Sequence, residues 1–150
     1  LGDVYKRQIL NKPGRLTPEE FEIMKTHTTI GADMLRELGS HHAGNALMEY
    51  AYQIARWHHE RWDGRGYPDG LKGDEIPIAA QVVSVADVYD ALTSVRVYKD
   101  AIPHEEAIKM ILDGKCGTFN PLLLDCLLEV QDQIAETLAR PADVVAFPTI

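Results

Sequence analysis

Among the 150 residues are six histidines, and three of them stand where helical spacing turns an imidazole toward an apolar face. His27 lies three residues after Met24, four before Gly31 and seven before Met34, which places it on the apolar stripe of its helix and predicts that it points inward. His58 follows Ile54 by four residues, and His59 sits one step further round, beside Tyr52 and Ala55. Asp87 falls between Val83 and Ala91 in the most apolar stretch of the chain. A carboxylate buried there needs a cation, a strong set of donors or a proton, because an unpaired charge costs several kcal/mol. Three imidazoles and a carboxylate from three helices form a ligand set suited to iron, manganese or zinc. Taken singly, each residue is better explained as a core histidine bonded to a backbone carbonyl, or as an aspartate bonded to hydroxyls, than as a ligand. Consecutive histidines at the buried end of a helix are hard to satisfy separately, which favours a metal for His58 and His59. His41 and His42 are also adjacent, but they lie in the linker GSHHAG, where solvated imidazoles need no explanation. Arg96 and Lys99 come just after the Asp87 helix and could reach an anionic group near a metal. Favourable charge at a helix C-terminus explains them as well.

The elements that must position these groups read as helices throughout. Thr17-Pro18-Glu19-Glu20 combines an N-cap, a proline at the first helical position and an acid three residues after the cap, and predicts a helix over about 18–38 that stops at Gly39. A second is expected over about 45–60, with two adjoining apolar stripes that predict deep burial. From Asp63 to Gly73, two Asp-Gly pairs, further glycines and a proline forbid regular structure, so this stretch must be a loop. Pro77 then opens a helix to about Ser94 that is apolar nearly all round, although its valines also suit a buried strand. Two more helices are expected, from Pro103 to Gly114 and from Asn120-Pro121 to about Ala139.

Composition narrows the function. With 45% apolar and 25% charged residues, the chain suffices for one compact domain that buries about two thirds of its unfolded surface. A formal charge of −8 argues against direct DNA or RNA binding and against a membrane surface, so an anionic ligand must be held locally. No apolar run approaches the roughly 20 residues that cross a bilayer, and the first residues lack a signal-peptide pattern. A cytoplasmic protein is expected. Cys116 and Cys126 stand outside any CxxC spacing and are expected to be reduced thiols.

The run HHERWDGRGYPDGLKGDEIP, preceded by LNKPGRLTPEEFEIMKTHTTIGA and followed by VVSVADVYDALTSVRVYK, resembles the HD-GYP family of HD-type metal phosphohydrolases over about residues 9–121. The resemblance implies an all-α, compact HD-type helical bundle with a glycine-rich loop. It further implies two or three divalent ions, usually iron or manganese, and hydrolysis of the bacterial second messenger cyclic di-GMP to pGpG or GMP. His27, His58, His59 and Asp87 match metal ligands of the family, and Arg96 and Lys99 match a basic pair that resembles a phosphate clamp. Gly66, Tyr67 and Pro68 match the triplet of a loop near the active-site mouth, which also implies contact with diguanylate cyclase domains. A receiver or sensor domain upstream is the usual arrangement in the family.

The sequence departs from the family before Ile9. The His-Asp pair expected there is missing, and Asp3 in LGDVYKRQ has no histidine before it. Residues 1–8 therefore read as a foreign or truncated end, residues 9–140 as a partial domain, and 141–150 as a tail without assigned role. On this reading the chain holds at most one ion well and hydrolyses nothing at a meaningful rate alone. Phe119-Asn120-Pro121 stands where the family more often has Phe-Asp-Pro, a change between two residues that both cap helices. Two alternatives stay open: a non-catalytic module that binds cyclic di-GMP or a diguanylate cyclase, and an HD phosphohydrolase of another nucleoside phosphate.

Overall fold

The computed structural model describes residues 9, 12, 14–40, 45–95 and 100–139. Among the described residues the named elements are five helices, α1 (Pro18–Ser40), α2 (Ala46–Trp57), α3 (Ile78–Thr93), α4 (His104–Leu112) and α5 (Pro121–Ala139), with one turn of 3-10 helix at Gly73–Glu75. No strand occurs among the described residues, and the valines of α3 are helical. The fold is all-α, as expected. Among the described residues no helix is long and apolar enough to cross a membrane. The stretches 1–8, 41–44, 96–99 and 140–150, which carry Asp3, His41, His42, Arg96, Lys99 and the tail, lie outside the described residues.

The helix starts are the ones the sequence specifies. At α1, the Glu20 amide donates to Thr17 Oγ1 (3.2 Å) while the Thr17 amide donates to Glu20 Oε2 (2.7 Å), so each residue satisfies an orphan amide of the other. Asn45 Oδ1 accepts from the Leu47 amide at α2, and Asn120 Oδ1 from the Leu122 amide at α5, both at 3.0 Å.

Each helix packs on the next, α1 on α2, α2 on α3, α3 on α4 and α4 on α5. The apolar core occupies the later half, where Val85, Val88, Tyr89 and Leu92 of α3 meet Ala107, Ile108 and Ile111 of α4, closed by Phe119 and Leu127. The earlier half is built on small residues. Gly31 of α1 faces Ala55 of α2, close enough that a methyl group on Gly31 would rest 3.8 Å from the Ala55 methyl.

Two expectations are corrected here. α2 ends at Trp57, not Glu60, and contains no fully buried residue; Leu47 (72% exposed) and Tyr50 (53%) face outward. Its neighbours among the described elements are α1 and α3, and they leave that side uncovered, so two apolar stripes in a sequence do not ensure burial of both. His27 is exposed rather than inward-facing. Its stripe is not a core stripe, since Met34 on the same side is 61% exposed. The imidazole turns instead toward the C-terminal end of α2.

Candidate metal centre

His27 projects from the middle of α1, His58 is the C-terminal cap of α2, and His59 begins the turn beyond it. One nitrogen from each of the three comes within 4.8 Å of the others. Asp87, half-buried on α3, is not part of that group. Its charge acts on nearby Arg61 and Tyr67.

Hydrogen bonding fixes how the first two rings present themselves. His27 Nδ1 donates to the Met24 carbonyl (2.7 Å), and His58 Nδ1 donates to the Ile54 carbonyl (2.9 Å). A carbonyl can only accept, so each Nδ1 carries a proton, and Nε2 is the nitrogen left to offer a lone pair. The two Nε2 atoms face each other at 3.3 Å. Two acceptors so placed repel unless something positive is shared between them. Nitrogen ligands held about 2.1 Å from one ion stand about 3.0–3.4 Å apart at octahedral to tetrahedral angles, so the spacing fits a metal. A backbone carbonyl behind each ring is also the usual device for orienting a ligating histidine. His59 completes the donor set as a neutral ring: burial, reinforced by His58, His27 and Arg61, pushes its pKa down to about 3.

The segment 63–73 is irregular apart from its last turn, and it folds back over the end of α2. Tyr67 stacks on His59 with ring centroids 4.8 Å apart and planes at 28°, and its amide donates to the His59 carbonyl (3.3 Å). Burial raises the Tyr67 hydroxyl to about 12, so it remains protonated. Phe21 meets the Tyr67 ring edge-on at 6.2 Å, with Lys25 over both rings. Gly66 lies directly on the backbone of Glu60 and Arg61. Gly66, Tyr67 and Pro68 are half-buried, and Tyr67 is the one of the three seen against the His59 ring.

Three charged residues that the sequence reading did not single out hold this arrangement. Asp69 accepts from Arg56 at both carboxylate oxygens (2.7 and 2.8 Å) and from Trp57 Nε1 (2.8 Å). Glu60, only 2% exposed, takes the amides of Asp69 and Gly70 on Oε1, and burial raises its pKa against those bonds. Arg61 Nη1 reaches the Glu60 carbonyl (3.0 Å) and Ser84 Oγ (2.7 Å), tying the turn to α3, and burial lowers its pKa. All three lie in turns or at a helix end, where neither helical nor strand periodicity applies. For Glu60 and Arg61 the available signal was charge immediately after an adjacent histidine pair, whereas Asp69 stands further along the loop and carried none.

The Arg56 guanidinium beside Asp69 holds the Asp69 carboxyl below its usual 3.8. A carboxyl whose folded pKa is depressed contributes its stability above the unfolded value and loses it as pH falls through the folded one. Asp69→Asn is therefore expected to cost on the order of 1 kcal/mol at pH 7, given partial exposure of the pair. The difference from the unaltered protein should shrink below pH 3.8. Urea unfolding at pH 7 and pH 3 checks both, and an undiminished difference in acid contradicts the assignment.

The described residues thus form a helical domain with a three-imidazole cluster at a helix end that could hold a metal ion, beside a glycine-rich return loop. The profile of the HD domain matches residues 6–121, and the chain belongs to that family, in its HD-GYP branch. It is 46% identical over 138 residues to a cyclic di-GMP phosphodiesterase of Thermotoga maritima, covering 91% of this chain and 36% of that protein. A probable cyclic di-GMP phosphodiesterase of Vibrio cholerae is 45% identical over 136 residues (90% and 31%). A 3'3'-cGAMP-specific phosphodiesterase of the same organism is 41% identical over 135 residues (90% and 25%). The chain thus spans about a third or less of the length of these curated relatives.

Proposed function

We propose that this domain is the hydrolytic part of a metal-dependent phosphodiesterase that cleaves cyclic di-GMP to pGpG or GMP. The observation that carries the reading is the pair of Nε2 lone pairs 3.3 Å apart, with both Nδ1 atoms committed to backbone carbonyls. That geometry calls for a cation, and the names of the relatives supply the substrate class. His27, His58 and His59 would hold one ion, and Asp87 would serve a neighbouring one in a centre of two or three, iron or manganese by the family resemblance. Divalent ions there supply activation of water near neutral pH and neutralisation of phosphoryl charge. The carbonyls of Met24 and Ile54 keep the His27 and His58 rings oriented with Nε2 outward. Tyr67 covers one face of His59 and shields it from water. Arg96 and Lys99 would bind the phosphate oxygens of the substrate.

The activity belongs to the longer protein. Residues 9–140 would contribute part of the site, with at most one ion held well and little turnover by this chain alone. Upstream coding sequence would bring the rest, together with a receiver or sensor domain, and the loop at Gly66-Tyr67-Pro68 would contact diguanylate cyclase domains. A cytoplasmic location follows from that substrate.

Incubating the full-length protein, with manganese or ferrous iron, against cyclic di-GMP, 3'3'-cGAMP and nucleoside monophosphates tests the reading. The expected result is release of pGpG or GMP from cyclic di-GMP, at least tenfold slower with the 150-residue chain alone. Preference for mononucleotides would replace it with another HD phosphohydrolase, and tight binding without turnover would replace it with a binding module.

A further inference from the structure

We propose that Glu60 is a positioning residue of the metal centre: its buried carboxylate clamps the return loop so that Tyr67 is held against His59. The inference rests on the metal-centre reading above and extends it to a residue that touches neither metal nor substrate.

Glu60 directly follows the two imidazoles, and its own amide closes the turn by donating to the Trp57 carbonyl (3.0 Å). Its side chain reaches the far limb of the loop, where Oε1 receives the Asp69 amide at 2.7 Å and the Gly70 amide at 3.0 Å. Gly70 takes a φ of 70°, the conformation that turns its amide back toward the carboxylate in this tight return. Between the two limbs, Gly66 rests on the Glu60–Arg61 backbone and Tyr67 lies on His59. One oxygen thus fixes the far end of the segment that carries the stacked ring, while the Glu60 backbone belongs to the turn at its near end.

The other oxygen gives the independent observation. Oε2 is buried and has no hydrogen-bond partner of good geometry among the described residues, although the Leu71 amide lies near enough to favour the carboxylate. Glu60 also lines a cavity of about 10 Å³, shared with Gln81, Ser84, Thr118 and Asn120. That volume is near the minimum for a single water, and the walls offer polar partners. A buried carboxylate oxygen is costly to leave unsatisfied, and a water bridging Oε2 to these walls would extend the clamp to α3 and the start of α5.

The test compares Glu60→Ala, Glu60→Gln and Ile111→Val, the last a core change remote from the site that lowers Tm by itself. Mn(II) dissociation constants are measured by titration, and the His59 ring resonances by NMR on histidine-labelled, metal-free protein. Glu60→Ala is expected to weaken Mn(II) binding about 10- to 100-fold, the range for groups that orient metal ligands, and to remove the ring-current shift that Tyr67 imposes on His59. Glu60→Gln, whose carbonyl oxygen can take both amides, is expected to restore both to within about threefold of the unaltered protein. Ile111→Val is expected to lower Tm and change neither. Equal loss of affinity in Glu60→Ala and Ile111→Val, or an unchanged His59 shift in Glu60→Ala, would overturn the proposal. So would failure of glutamine to rescue. If Glu60→Ala does not fold, Glu60→Asp, one methylene too short for the clamp, takes its place. Absence of Mn(II) binding by the unaltered protein would sink the metal-centre reading instead, and the His59 shift alone would then decide the clamp.

Discussion

Replacing His58 by alanine is expected to reduce metal affinity by more than about 100-fold, above the 10- to 100-fold range for groups that merely orient ligands. His58 is the centre of the cluster: its Nε2 faces that of His27 at 3.3 Å, and its ring centroid lies 4.1 Å from that of His59. Without it, two imidazoles remain, from α1 and from the turn, with centroids 5.0 Å apart. The carbonyl of Ile54 loses its donor too, although it still accepts the His58 backbone amide at 3.1 Å, so the change removes a ligand without unravelling the end of α2. Elemental analysis of purified protein, followed by titration with Mn(II) or Fe(II), measures the effect. His41→Ala is the control and should leave metal content unchanged. Equal metal content in both variants would show that the three-imidazole cluster is not the binding site.

The second large effect is expected from the smallest change. A methyl group on Gly66 would stand 2.6 Å from the Glu60 carbonyl carbon and closer still to Glu60 Cα and Arg61 N. These are backbone atoms of the turn that carries the histidines, so they cannot move aside as a flexible side chain would. Gly66→Ala must therefore displace the loop or the turn, at a cost of about 1–3 kcal/mol. For a chain of this size that corresponds to a fall in Tm of roughly 2–12 °C. The Tyr67–His59 stack should loosen with it, visible as faster amide exchange at Asp69 and Gly70, whose hydrogens lie on Glu60. Gly31→Ala is the informative contrast. Its new methyl would meet Ala55 at an ordinary 3.8 Å inside a helix, so alanine there should be neutral or stabilising by up to about 1 kcal/mol. Similar Tm values for the two variants would contradict the close approach at Gly66.

Much of this arrangement was legible in the residues. Thr17, Asn45 and Asn120 announce helix starts because capping is local: a side-chain oxygen reaches an amide two or three residues on, whatever the remainder of the chain does. Glycine and proline density announces the 63–73 loop for the same reason. The extent of α2 was less legible, since it ends three residues before the apolar pattern does, at the point where Arg56 and Trp57 turn to Asp69. That partner is 13 and 12 residues away in the chain, respectively, and no periodicity encodes it. His27 shows the same limit in another form. Spacing correctly put it on the Met24–Gly31–Met34 side of α1 but could not say whether that side faces the core or the end of a neighbouring helix.

By itself, the sequence determined which residue types are available for metal chemistry, where the helices begin, and which stretch must be irregular, because each of these depends on interactions within a few residues. Only the tertiary structure decided that His27 meets His58 and His59 while Asp87 stands outside that group, and that a buried Glu60 and a paired Asp69 seat the loop. Those outcomes depend on how α1, α2 and α3 cross and on which backbone amides the return loop brings within about 3 Å of a carboxylate. Contacts between residues distant in sequence are set by packing of the whole domain, and no local pattern carries them.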